Sequence, residues 1–301
     1  MEGNSRHDRR AGDRLLELLL TPLENSCAMP NILQDDFSKL EHEGWTRVSD
    51  LYDKSWANLT KQFIEPLLNA VNIQPATRVL DVACGPGYVS QAIHYRNATP
   101  TGVDFSSSMI ALAKQMHPHI EFIEGDAQAL DFPDERFDSV VMNFGMLHLS
   151  KPELAIKEAK RVLRKGGRFG FTVWAGPERS PAASVMFNNI MKHADQNVNM
   201  PEAPPSYYFS DEKLTTELLL KNGFDDIAFT DHLVEWAVPS AEYLFETELN
   251  AGVRTSSFLK RQTDETLSKI RQDVVKGMEK FYDGAQYKLQ FCGCIISGVK
   301  K

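Results

Sequence analysis

Between residues 76 and 174 the chain alternates short apolar runs of strand length with amphipathic stretches of helix length, and this rhythm constrains the fold more than any other feature. Strands are expected at 78–83, 101–104, 120–124, 139–143 and 168–174, each rich in Val, Ile or Phe and closed by turn residues. Parallel strands buried on both faces read in this way, as continuous hydrophobic runs without strict alternation. Before the fifth run, Ala155, Ala159, Val162 and Leu163 form one apolar helical stripe. Pro152 suits the first turn of that helix, and Lys165-Gly166-Gly167 its stop. The expected fold class is therefore α/β, with helices on both faces of a mostly parallel sheet.

The flanking segments read differently. Residues 1–34 are expected to be a poorly ordered extension, in which Met29 is an alternative start. The basic residues of 6–14 are mixed with Asp8 and Asp13 and lack a small-residue cleavage pattern, so neither a secretory nor a transit reading is supported. Residues 35–75 read as helices carrying Trp45, Tyr52 and Trp56 that cover the site, and 76–301 as the core. Prolines at 177, 181, 201, 204 and 205 mark an insertion near 177–210, a candidate lid around a short helix at 183–193. Ser210 is the expected N-cap of a helix ending at Gly223, followed by a sixth strand at 227–232. A second helical insertion is expected near 239–283 and a last strand at 287–299.

A formal net charge of −8 and a pI near 5.5 give no broad positive field, which argues against nucleic acid as a partner. No apolar run approaches the roughly 20 residues of a bilayer span. The four cysteines, at 27, 84, 292 and 294, are too scattered for a disulfide framework, and cytoplasmic residence is expected. Cys292 and Cys294 share one face of a strand and read as buried small side chains; no metal site is expected.

The chemistry concentrates at strand ends. Val79-Leu80-Asp81-Val82-Ala83-Cys84-Gly85-Pro86-Gly87 is a buried strand entering a glycine-rich turn, and open α/β sheets bind ligands at the carboxyl ends of their strands. A dinucleotide fold calls for a third glycine where Ser90 stands, and Asp81 brings a carboxylate that suits a ligand ammonium better than a pyrophosphate. Asp104 closes the second strand, where a carboxylate can accept from two ribose hydroxyls. Asp126 and Ala127 follow the third strand, where a carboxylate and a backbone N–H can read an adenine edge; Phe105 and Met109 supply apolar walls. Any one of these acids alone reads equally well as a turn cap. Their ordered spacing points to an adenosine-bearing ligand.

With those motifs in place, the sequence resembles the class I S-adenosylmethionine-dependent methyltransferases, most of all the ubiquinone and menaquinone C-methyltransferase group. The resemblance rests on VLDVACGPG at 79–87, GVDFSSSMIALAK at 102–114, EGDAQALDFPDERFDSVVMNFGMLHL at 124–149 and RVLRKGGRFGFTVW at 161–174. It implies a Rossmann-like three-layer sandwich with a seven-stranded, mostly parallel sheet whose last strand is antiparallel, plus helical cap elements. It also implies S-adenosyl-L-methionine as methyl donor and S-adenosyl-L-homocysteine as product. Asp81 with the backbone of Ala83, Gly85 and Gly87 would hold the methionine end, Asp104 the ribose, and Asp126 with Ala127 the adenine. Asn143 and Phe144 would lie beside the methyl group, and Asp138 would be structural.

A sulfonium is already activated, so alignment of the reactants and exclusion of water can suffice. If the acceptor must lose a proton, His148 is the candidate base, ahead of His94 and His232. Trp45, Tyr52, Trp56, Met146, Trp174 and Phe209 are candidate acceptor walls and suggest a small apolar or aromatic molecule, although aromatics at helical spacing are more often core. Phe187, Tyr208 and Phe245 are candidates for the same walls. Arg254 is either a partner for an acceptor carboxylate or a surface side chain. The rival reading retains the donor but not the transfer, as a cyclase or regulator on the same scaffold. Oligomeric state is left open.

Overall fold

A computed structural model describes residues 35–301; the expected 1–34 extension, with Cys27 and Met29, lies outside them. The chain begins with α1 (Asp36–Tyr52), α2 (Ala57–Thr60) and α3 (Ile64–Ala70). The alternating core follows as β1 (Arg78–Val82), α4 (Tyr88–Tyr95), β2 (Thr99–Asp104), α5 (Ser107–Met116), β3 (Glu121–Glu124), β4 (Phe137–Asn143), α6 (Pro152–Val162) and β5 (Leu163–Trp174). Thereafter come α7 (Pro181–His193), α8 (Glu212–Lys221), β6 (Phe224–Val238), α9 (Tyr243–Ala251), α10 (Arg254–Leu259), α11 (Asp264–Met278) and β7 (Tyr287–Lys300).

The seven strands form one sheet in the order β3-β2-β1-β4-β5-β7-β6. Strands β1 to β5 pair in parallel, whereas β7 runs antiparallel between β5 and β6. The chain steps outward from β1 through β2 to β3 and then crosses back to place β4 on the other side of β1. The helical crossovers therefore diverge between β1 and β4 and leave a crevice beyond their carboxyl ends.

Alternation along the strands divides the core into two layers. Val79 and Val141 pack with α3, α4, α7 and α11 on one face. Leu80, Val82, Val140 and Met142 pack with α6 and α8 on the other. Cys292 and Cys294 lie buried on this second face, with Cys84 buried elsewhere as a third thiol; all three are unpaired. Among the described residues no helix is long and apolar enough to cross a membrane, and no metal-binding group of His, Cys, Asp and Glu is present.

Several boundaries differ from expectation for local reasons. Phe137 pairs with Leu163 but Ser139 pairs with Arg168, so 164–167 loop out of β5, and Gly166-Gly167 belong to that excursion rather than to a helix stop. The α8 cap is Asp211, whose carboxylate accepts from Leu214 N at 2.9 Å; the Ser210 hydroxyl instead donates to Tyr207 O. Strand β6 is far longer than expected: it is an edge, and its exposed Asp226 and Asp231 hide its strand character.

Above the crevice, α1 packs against α5, α9 and α10. Gly44 permits this: a Cβ there would stand 2.2 Å from Val253 Cγ1.

Candidate functional site

The crevice holds a cavity of about 270 Å³, floored by the strand ends and roofed by α1, the 206–207 segment and the α9–α10 junction. Its floor starts where β1 leaves the sheet. Ala83 and Gly85 adopt positive φ (54° and 51°), turning the backbone sharply, and both line the cavity. A Cβ on Gly85 would meet nothing within 4 Å, so its absence leaves the cavity side of the turn bare. Gly87 answers a different demand: its φ is +85°, and a Cβ would come within 2.6 Å of Phe122 behind the turn.

Asp104 ties this turn to β2. Its Oδ2 accepts from Gly85 N and its Oδ1 from Ser106 N, both at 2.9 Å. Asp126, beyond β3, accepts from Gln128 N at 2.9 Å. Both carboxylates line the cavity, and burial raises the pKa of each. Arg254 is the single lysine or arginine in the wall among the described residues, and it pairs with neither. A site with buried acids and no cation paired to them suits a cationic, hydroxyl-rich ligand and rejects a pyrophosphate.

Beyond β4, Phe144 (φ 58°) lies stacked on Trp174 with ring centroids 4.0 Å apart. Asn143 accepts from Thr172 Oγ1 at 2.6 Å and donates to Thr60 O at 3.3 Å, which fixes its amide at the cavity edge. Tyr52 hydrogen-bonds to Thr60 Oγ1, and burial raises the pKa of its phenol.

His148 lines the opposite side. Its Nδ1 lies 2.8 Å from Oε2 of Glu41, a fully buried carboxylate of α1. The Trp45 ring meets the imidazole edge-on at 4.9 Å. Glu41 and Trp45 are one helical turn apart and so share the inward face of α1. Glu41 Oε1 and Trp45 Nε1 are buried without hydrogen-bond partners.

The residues matching the Methyltransferase domain family span 79–167. The chain is 33% identical over 149 residues to the demethylmenaquinone methyltransferase of Renibacterium salmoninarum, covering 50% of this chain and 63% of that protein. It is 30% identical over 169 residues to the demethylmenaquinone methyltransferase of Streptomyces griseus, covering 53% of this chain and 74% of that one. The chain belongs to the class I S-adenosylmethionine-dependent methyltransferase family. The match spans less than two thirds of the Renibacterium relative's length. The YcgJ protein of Bacillus subtilis shares this family's fold, with a TM-score of 0.53, 19% identity and coverage of 80% of this chain and 98% of that one.

In this methyltransferase chain the cavity brings together Ala83, Gly85, Asp104, Phe105, Met109, Asp126, Ala127, Asn143 and His148, as well as Trp45, Tyr52, Trp56 and Trp174. Other expected residues, Phe187 and Tyr208 among them, lie outside its wall. Asp81 is 1% exposed and accepts from Ser90 Oγ at 2.6 Å; it sits behind the turn, and burial raises its pKa to about 7. Gly87 serves the packing of Phe122. Met146 and Phe209 belong to the core layer beneath α6 and α8, Phe209 edge-on to Phe171, and both are corrected from wall to core. Phe245 is likewise core. Asp138 is structural: it accepts from Arg78 N and pairs with Arg78 and Arg164.

The sequence reading missed Glu41, Tyr207 and Glu248. Tyr207 takes the inward place expected of its neighbours Tyr208 and Phe209, and burial pushes its phenol up to about 12. Burial likewise raises the Glu248 carboxyl to about 7. For Glu41 the signal was available, since Glu41 and Trp45 have the i, i+4 spacing of one helix face.

Proposed function

We propose that this protein transfers a methyl group from S-adenosyl-L-methionine to a small acceptor with an apolar or aromatic body, in the cytosol, releasing S-adenosyl-L-homocysteine. The observation that carries the reading is that Asp104, Asp126 and His148 share one aromatic-walled cavity above the β1 turn.

On this reading the free lone pairs of Asp104 accept from the ribose hydroxyls, and Asp126 with Ala127 N–H reads the adenine edge. The bare turn at Ala83 and Gly85 receives the methionine end. Asp81 contributes from behind by holding Ser90 and the start of α4. When bound, the donor supplies a sulfonium methyl carbon, an electrophile that needs no further activation. Asn143 and Phe144 border its path, and the lid formed by α1, α9 and α10 excludes water.

His148 removes the acceptor's proton as its nucleophile forms the new bond to carbon. Glu41, bonded to Nδ1, orients the ring with Nε2 toward the cavity and stabilises the imidazolium that results. Such a pair is useful only for an acceptor with a removable proton, such as a phenol, an enol or an activated carbon acid. Calorimetry with S-adenosylmethionine, paired with detection of S-adenosylhomocysteine after incubation with fractionated metabolites, tests the reading. Absence of donor binding overturns it, and a product made without donor consumption would favour the cyclase alternative.

A further inference from the structure

Arg254 stands at the α9–α10 junction, in the cavity wall beyond His148. Its Nη1 donates to Pro204 O at 3.0 Å, and its guanidinium carbon lies 5.7 Å from the centre of the Phe37 ring. Those two contacts fix the guanidinium while leaving Nε and Nη2 without partners among the described residues. No carboxylate among the described residues lies within ion-pair distance of it. Glu41 acts on it electrostatically from farther away, but one oxygen of Glu41 is committed to His148. A half-buried, oriented guanidinium with an unused two-donor edge in the cavity wall favours an oxyanion.

We propose that Arg254 forms an anion-binding subsite that holds a carboxylate carried by the methyl acceptor. Four observations choose this class. The open Nε–Nη2 edge presents two parallel N–H donors, the spacing that two carboxylate oxygens accept in plane. Tyr207 brings a phenol close to Arg254 in the same wall. The cation is single, and Glu41 and Glu248 stand nearby, so a dianionic phosphate would leave surplus negative charge. The space between Arg254 and His148 is walled by Trp45 and neighbouring apolar residues, which suits an aromatic or apolar body joining acid to nucleophile.

The donor's own carboxylate does not account for Arg254. Arg254 packs on Phe37, near the start of α1, whereas Tyr52, near the β1 turn that receives the methionine end, lies at its other end.

This inference rests on the methyl-transfer reading, and its test separates the two. Binding of a panel of aromatic carboxylates, each paired with its uncharged amide, and of phenyl phosphate, is measured by calorimetry in the presence of S-adenosylhomocysteine. The wild type is expected to bind the best acid about ten-fold or more tighter than its amide. Arg254→Met should erase that preference, Arg254→Lys should restore part of it, and the affinity for S-adenosylmethionine should stay within about two-fold in both. Melting curves of both variants establish that they fold. No acid preference across the panel, a preference that survives Arg254→Met, or tighter binding of phenyl phosphate than of every carboxylate overturns the subsite. If S-adenosylmethionine itself fails to bind the wild type, the methyl-transfer reading falls instead.

Discussion

The two halves of the cavity are built on different principles. The strand-end half comes from consecutive core turns between Ala83 and Phe144, and its carboxylates are already engaged by backbone N–H groups such as Gly85 N and Ser106 N. The lid half gathers Trp45, Tyr207, Glu248 and Arg254 from segments far apart in sequence, with Glu41 buried behind the wall. It leaves buried polar atoms without partners, Glu41 Oε1 and Trp45 Nε1 among them. Preorganised polar groups lose little on binding, whereas unmatched ones are satisfied only by the right molecule. On the proposed reading the first half suits an invariant ligand, and the second is where discrimination between acceptors would reside.

The comparison breaks most visibly if chemistry and donor binding are not separable. His148→Ala is expected to lower kcat about 10²- to 10⁴-fold, the usual worth of a positioned base. Its affinity for S-adenosylmethionine should be unchanged in the calorimeter. Glu41→Gln, which keeps the shape but removes the charge facing Nδ1, should lower kcat by a smaller factor, about ten-fold, again with donor affinity intact. A parallel loss of donor binding in either variant would show that α1 and the donor floor act as one unit.

Asp104→Ala probes the other half. Loss of a buried carboxylate that accepts two backbone N–H bonds and faces the cavity should weaken S-adenosylmethionine about 100-fold, at roughly 1.5 to 3 kcal/mol per charged hydrogen bond. Asp104→Asn should fall between. Equal donor affinity in the wild type and Asp104→Ala would remove Asp104 from the site.

These halves were also unequally legible. Asp104, Asp126 and Gly85 are readable because a strand end and the turn after it are local, and in a parallel sheet every such end points the same way. Asp81 has the same local credentials but lies behind the turn, buried against α4, where it accepts from Ser90 Oγ. Met146 and Phe209 share aromatic or apolar character with Trp45 and Trp174, and only the packing of α6 and α8 separates core from wall. For Arg254 the sequence left partner and surface side chain equally open, since its neighbours Phe37 and Pro204 arrive from other segments. Gly44 illustrates the point: it is unremarkable in sequence but necessary where α1 meets Val253. Gly44→Ala gains about 1 kcal/mol of helix propensity but meets Val253 with overpacking worth about 1 to 3 kcal/mol. The expected net result is a modestly lower melting temperature and a raised acceptor KM with donor affinity retained. Adding Val253→Ala should reverse both; acceptor KM unchanged in Gly44→Ala would mean that the roof does not shape the acceptor end.

The smallest effect concerns Asp81, which lies beneath the β1 turn and holds Ser90. Burial raises its pKa from 3.8 to about 7, so the folded protein binds this proton more tightly than the unfolded chain does. The sign follows: below about pH 4 both states are protonated and Asp81 adds no pH dependence. Between about pH 4 and 7 the unfolded chain releases the proton first, and stability falls as pH rises. A single group can contribute at most about 1.4 kcal/mol per pH unit to that slope, and Ser90's hydrogen bond to the ionised form opposes it. Asp81→Asn keeps a partner for Ser90 and removes the titration. Its melting temperature should therefore decline less steeply between pH 5 and 7 than that of the wild type, with Asp104 and Glu248 supplying the slope that remains. An identical slope in the two proteins would mean that Asp81 is ionised throughout, and a buried charge beneath the turn would then act directly on the donor's ammonium.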